Sequence, residues 1–253
     1  MRIILITQNE PFYLRKNLEY LIENMPSKFQ IVGCVLTSAS PFGKKESFLK
    51  KSIKTFRIFG FNFFLYYSFK FILSILKRDD IFNLLNRKNI PILKLTKNIN
   101  HVDSIELIKS YNPDLLVSVL GNQIFKKDII NLAQKGCINL HTALLPKYRG
   151  LMPSFWVLKN QEKYTGVSVF YVDEGIDSGP IIFQKKIRIN GLSQKKLIEK
   201  SKKLGMIAII ESIKLIENGN FKLIDNNAKE KTYYSFPTRL DVLEFKKIGK
   251  KFF

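Results

Sequence analysis

At 253 residues, with 45% hydrophobic residues, the chain can bury a full α/β core and is too apolar to be disordered. Lys and Arg number 42 against 21 Asp and Glu, a net charge of +21. Such a surface suits nucleic acid, anionic lipid or a phosphorylated small molecule, or reflects a Lys-, Ile- and Asn-rich composition, since the lysines are spread along the chain.

The two cysteines, Cys34 and Cys137, sit inside apolar runs and read as core residues of a reducing compartment. Arg2–Thr7 reads as a buried parallel strand, too short for a signal peptide. Gln8-Asn9-Glu10-Pro11 is a turn, with Pro11 suited to the first turn of a helix that runs through Leu14, Leu18 and Leu21. Ile31–Thr37 is a second strand and Ser38–Gly43 a loop. This β-α-β opening predicts a Rossmann-like, mostly parallel sheet without the glycine-rich turn of a dinucleotide site.

Residues 44–89 form a basic, Phe-rich helical insertion. Within it, Phe56–Leu76 is interrupted by Arg57, Asn62, Ser68 and Lys70, so it falls short of a membrane span. It reads first as a helix packed on the domain or at a subunit contact (a homodimer), and second as a peripheral membrane contact. The expected location is cytoplasmic, with membrane association as the alternative.

Further strands are predicted at Ile90–Leu95, Leu115–Leu120, Cys137–His141, Gly166–Val172 and Ile181–Ile189. Helices are predicted at Asp103–Tyr111 (N-cap Asp103 or Ser104), Phe125–Gln134, Pro153–Lys159 and Ser193–Asn218. His101 reads as a surface residue. The catalytic domain spans 1–190, with a C-terminal helix and small tail at 191–253.

Chemistry concentrates at strand ends. Asn139 and His141 are two apart and share one side of a strand. A carboxamide N–H can stabilise an oxyanion, and an imidazole, which titrates near neutrality, can take a proton from an amine. Asp177 lies in the acidic turn Asp173–Pro180. These groups suit acyl transfer to nitrogen without a covalent enzyme intermediate; Cys137 reads as buried. Taken singly, Asn-x-His is also an ordinary capping pair, and the acidic turn is also ordinary turn chemistry. No metal site is expected.

Asn139-Leu-His141, Leu145-Pro-Lys-Tyr-Arg-Gly150, Pro153, Trp156, Gly166-Val-Ser-Val169 and Asp173-Glu-Gly-Ile-Asp-Ser-Gly-Pro180 together resemble the signature of formyltransferases that use N10-formyltetrahydrofolate. The similarity is dense from about Pro113 to Ile189 and excludes the insertion. It implies a Rossmann-like fold and a catalytic set of Asn139, His141 and Asp177. It also implies a folate head group lying against Leu120, Gly121, Asn122, Gln123 and Ile124 on one side and Val172, Asp173, Glu174 and Gly175 on the other.

Within that family the purine-pathway member binds phosphate with a glycine-rich first loop, absent here. The folate hydrolase carries an extra N-terminal domain, and the tRNA-directed member a C-terminal barrel of about a hundred residues. The size and the Tyr-Tyr-Ser-Phe-Pro-Thr tail most resemble the sugar N-formyltransferases. The expected acceptor is therefore the amine of a nucleotide-linked amino sugar for surface glycans such as lipopolysaccharide, with initiator methionyl-tRNA as the alternative. Gln8, Asn9, Lys147, Tyr148, Arg149, Tyr233 and Tyr234 are the candidate substrate-binding residues.

Overall fold

The computed structural model describes residues 1–38, 47–76, 80–121 and 123–253. The loop expected over Ser38–Gly43 and the start of the insertion at 44 therefore lie largely outside the described residues.

A central sheet runs in the order β3-β2-β1-β4-β5-β7-β8. Its first five strands are parallel: β1 (Arg2–Asn9), β2 (Gln30–Ser38), β3 (Ile92–Leu93), β4 (Leu115–Val119) and β5 (Cys137–His141). β7 (Tyr164–Tyr171) and β8 (Ile181–Arg188) close the far edge as an antiparallel pair. The apolar run of β1 follows from its central place: Ile3 and Leu5 face one core, Ile4 and Ile6 the other. The first face is covered by α1 (Leu14–Glu23), α4 (Ile81–Arg87) and α8 (Gln194–Asn218), the second by α5 (Val102–Lys109) and α6 (Lys127–Ile130). Gly205 lets α8 approach β5 closely; a Cβ there would fall 2.5 Å from a methyl of Leu140.

The insertion folds as α2 (Phe48–Phe59) and α3 (Phe61–Leu76), ahead of α4. After β5 the chain makes the short β6 (Arg149–Gly150) and α7 (Pro153–Lys159). The tail returns to this region. β9 (Tyr233–Tyr234) pairs in parallel with β6, the Trp156 indole N–H donates to Ser235 O at 3.0 Å, and α9 (Arg239–Lys247) lies against α7.

Several elements differ from the sequence expectation for identifiable reasons. Pro11 sits in a turn ahead of α1, because the Glu10 carboxylate accepts from the backbone N–H of Phe12, Tyr13 and Leu14 and the helix begins only there. β3 shrinks to two residues at the sheet edge beside Pro91, which has no N–H for a ladder. The helix expected over Phe125–Gln134 is reduced to Lys127–Ile130, since residues 131–136 turn, with Gly136 at φ +85°, to bring Cys137 beside β4. His101 is the N-cap of α5 in place of Asp103 or Ser104, its Nδ1 accepting from the Asp103 N–H at 3.3 Å. α8 starts one residue later than expected, with Ser193 as its N-cap, and ends at Asn218 as expected, capped by Gly219.

Candidate active site

In a sheet ordered 3-2-1-4-5, the carboxyl ends of β1 and β4 diverge where the winding reverses, and a crevice opens there. The cleft found there has a volume of about 410 Å³. Gln8 at the end of β1, Ser118 and Leu120 from β4, and Asn139 and His141 from β5 line one side. Asp177 and the turn leading to it line the other. Both polar groups of β5 face the cleft because they are two residues apart, while Ile138 and Leu140 point into the core.

His141 is buried and held from both sides. Its Nε2–H donates to the Tyr148 carbonyl at 2.7 Å, and its Nδ1 lies 3.4 Å from Asp177 Oδ2. A carbonyl can only accept, so Nε2 must carry the proton. Nδ1 is then the one ring atom left to accept a proton, and it faces the carboxylate. The Tyr148 carbonyl is presented by the loop after β5. That loop is pinned by the buried Ser168 hydroxyl, which donates to Ala143 O (2.7 Å) and accepts from Leu145 N–H (3.1 Å).

Asp177 is positioned by three further elements. Its Oδ2 accepts from the Gly150 N–H at 2.8 Å. The carboxamide of Asn226, from the tail, donates to Asp177 O (3.0 Å) and Gly179 O (2.8 Å). Asn226 is in turn held by the buried Arg149, whose Nη2 donates to Asn226 Oδ1 at 2.8 Å. Leu120 (φ 56°), Tyr148 (φ 61°), Met152 (φ 51°) and Asp177 (φ 49°) hold left-handed backbone conformations around the cleft. Such conformations are costly for bulky residues and persist where the surroundings over-determine them.

The structure brings Asn139, His141 and Asp177 together with Leu120, Gly121, Gln123, Ile124, Val172, Asp173 and Gly175 in one cleft. Glu174 is exposed and off its lining, and Asn122 lies outside the described residues. Of the substrate candidates only Gln8 reaches the cleft. Asn9 and Lys147 are exposed beyond it, and Tyr233 is exposed beside Gly150. Tyr148 donates its hydroxyl to Glu162 and stacks on Tyr234, whose hydroxyl accepts from Asn160. Arg149 is engaged by Asn226, so all three side chains have partners within the protein, and none of them lines the cleft. Sequence reasoning chose them by residue type, named Phe236 of the same tail as a stacking ring, and missed Asn226, Ser118 and the Tyr148 carbonyl.

Burial pushes the Cys34 thiol up to about 12 and the Cys137 thiol higher still, which suits core residues rather than nucleophiles. Among the described residues no three His, Cys, Asp or Glu side chains gather as a metal site.

Fold and cleft define an α/β protein with an amide, an imidazole and a carboxylate at the topological switch point. A family model described as formyl transferase matches residues 77–213, and the chain belongs to that family. A methionyl-tRNA formyltransferase of Kosmotoga olearia is 37% identical over 159 residues, covering 61% of this chain and 50% of its own. The corresponding protein of Clostridioides difficile is 38% identical over 146 residues, covering 57% of this chain and 47% of its own. The chain thus spans about half the length of these curated relatives. In fold it is similar to an N-formyltransferase of Helicobacter canadensis in complex with folinic acid and dTDP-3-aminofucose (TM-score 0.56, 19% identity, 94% of this chain and 71% of that one). A phosphoribosylglycinamide formyltransferase of Anaplasma phagocytophilum also shares the fold (TM-score 0.63, 16% identity, 94% and 99%).

Proposed function

We propose that this chain transfers the formyl group of N10-formyltetrahydrofolate to a primary amine. The observation that carries the reading is the convergence of Asn139, His141 and Asp177 on one cleft, with His141 free to accept a proton only at Nδ1. The folate co-substrate supplies an activated formyl carbon. Its planar head suits a cleft walled by Leu120, Gly121, Gln123 and Ile124 on one side and by Val172, Asp173, Gly175 and Asp177 on the other.

With His141 neutral, Nδ1 and Asp177 Oδ2 are two acceptors aimed at the same space. That arrangement attracts a donor, and the N–H of an incoming amine fits between them. As the amine nitrogen attacks, Nδ1 takes the proton, directly or through water. The resulting imidazolium is satisfied on both nitrogens, by Asp177 and by the Tyr148 carbonyl. As the tetrahedral intermediate collapses, the N10–formyl bond breaks and the imidazolium gives its proton back to N10, which leaves tetrahydrofolate, the formylated amine and neutral His141. The Asn139 carboxamide steadies the developing oxyanion, a donor contribution of about 2.7–4 kcal/mol in comparable sites.

For the acceptor we favour a nucleotide-linked amino sugar. Phe236 of the tail lines the cleft and offers a ring for a nucleobase, and Lys54 lies over that ring at 5.7 Å. A phosphate held at the first loop is disfavoured, because the N–H groups at the start of α1 already bond to Glu10. The second reading, initiator methionyl-tRNA, is favoured by the names of the curated relatives and by the net charge of +21. The test is a transfer assay with N10-formyltetrahydrofolate against a panel of nucleotide-linked amino sugars and against methionyl-tRNA. Formylation of a sugar but not of the tRNA supports the first reading and the reverse outcome the second. No transfer to any amine refutes both.

A further inference from the structure

The insertion carries a surface that the proposed reaction does not use. α3 has sixteen residues, most of them apolar, and none is fully buried. Phe61, Leu65, Phe69, Ile72 and Leu76 recur at spacings of four, four, three and four, which places them on one helical face, and all are exposed. The opposite face is the docked one. Phe63 packs on Phe59 and Phe252, and Tyr67 meets Phe12 edge-on and bonds to the Tyr13 hydroxyl at 2.8 Å.

Lys70, which interrupts the apolar run in the sequence, belongs to the docked face. Its ammonium lies 4.2 Å from the centroid of the Tyr13 ring and within 6 Å of the rings of Phe12, Tyr66 and Tyr67. Burial pulls its pKa below the usual lysine value. The outward arc of α3 is thereby left without charge.

α2 extends the surface. Leu49, Ile53 and Phe56 form an exposed apolar stripe, and Phe56 meets Phe64 of α3 edge-on at 5.8 Å. Beside that stripe run Lys50, Lys54 and Arg57, exposed and in the same helical phase. From Ser47 to Arg78 the sequence has no acidic residue.

We infer that the outward face of α2 and α3 docks on an anionic membrane surface, lying in the interface rather than crossing it. Charge complementarity selects this occupant. A second copy docking through the same face would set its own basic stripe, in a segment without an acidic residue, against this one, whereas acidic headgroups would neutralise the stripe. Nucleic acid would satisfy the cations and leave the apolar arc in water. At about 1.5 Å per residue α3 is about 24 Å long, short of a hydrocarbon core of about 30 Å. Among the described residues no helix is long and apolar enough to cross. An interfacial helix with Phe and Leu on one side and Lys and Arg on the other needs no such length.

The full-length chain is tested by flotation with phosphatidylcholine vesicles, with and without phosphatidylglycerol, across a salt series. The expected result is binding to the anionic vesicles that weakens with salt. Phe61→Ser with Leu65→Ser and Phe69→Ser should abolish it while far-ultraviolet circular dichroism stays unchanged. Replacing Lys50 and Arg57 by Gln should weaken partitioning about 25-fold, at roughly fivefold per cation. Equal binding to neutral vesicles, no binding to either, or a stable dimer in sedimentation that the Ser variant splits would overturn the inference. Transfer activity toward a soluble acceptor is a separate readout and bears on the proposed reaction alone.

Discussion

Asn226→Asp is the sharpest perturbation of the site that leaves its three chemical groups in place. The carboxamide of Asn226 gives two hydrogen bonds to the loop that holds Asp177 and takes one from Arg149. A carboxylate keeps the bond from Arg149, now charge-assisted, but cannot donate. It therefore leaves the carbonyls of Asp177 and Gly179 unmet and sets a negative charge against them. Each of the two unmet carbonyls costs about 1–3 kcal/mol, and the charge-assisted bond restores about 1 kcal/mol, so a net loss of about 1–5 kcal/mol follows. For a chain of this size that lowers the melting temperature by roughly 2–20 °C. Release of the Asp177 backbone misaligns the carboxylate with Nδ1, and a displacement of about 1 Å can cost on the order of 100-fold in kcat. Asn226→Ala also loses the donors but adds no repulsion, so it should fall between wild type and the Asp variant. The assays are thermal melts, binding of 5-formyltetrahydrofolate by calorimetry, and single-turnover formyl transfer. Wild-type kcat in the Asp variant together with a defect in the Ala variant would refute the reasoning, because then only the link to Arg149 would matter.

Further expectations follow from the same geometry. Asp177→Asn should abolish transfer with folate binding retained, since its amide N–H would occupy the lone pair of His141 Nδ1; normal turnover would remove Asp177 from the mechanism. Gly150→Ala should destabilise the fold by more than about 1 kcal/mol in a thermal melt, because Gly150 has φ +93° and a Cβ there would fall 2.3 Å from Tyr234 O. Partial burial raises the Asp241 carboxyl, but hydrogen bonds from Lys159 and Thr238 outweigh it and hold the group below the usual carboxylate range. A depressed folded-state value stabilises above the unfolded pKa, so this contribution is lost as pH falls below about 4. Asp241→Asn should therefore flatten the acid limb of a melting-temperature profile, and an unchanged limb would contradict the assignment. Both cysteines should resist a thiol reagent at about pH 8 in the native protein and react once the chain is unfolded.

The parts of the site legible in the sequence were those fixed by local rules. The run Cys137–His141 became a strand with the expected bounds, and Pro153–Lys159 a helix with the expected bounds. Period-two spacing alone placed Asn139 and His141 on one face. The partnership of His141 with Asp177 was suggested by family resemblance, because a gap of 36 residues carries no geometric information. Asn226 was illegible for the same reason, reaching Asp177 across 49 positions and Arg149 across 77. Tyr148, Arg149 and Tyr234 were chosen for their polar ends, and their partners Glu162, Asn226 and Asn160 were illegible because a polar end looks the same in sequence whatever it bonds to. Lys70 marked the run as short of a membrane span, as expected, but its place on the docked face of α3 depends on helical phase, which a linear run does not display.

The pairing of β9 with β6 has a consequence for how the protein is made. Tyr148 N–H donates to the Thr232 hydroxyl and Arg149 N–H to the Thr232 carbonyl, so the loop that orients His141 is seated by residues far downstream. During synthesis the sheet through β8 can assemble as it leaves the ribosome. His141 and Asp177 would then wait, solvent-accessible and unaligned, until Asn226 through Phe236 emerge. The proposed catalytic groups thus precede the segment that aligns them, so a nascent chain, or one terminated ahead of Asn226, would carry the residues without their alignment.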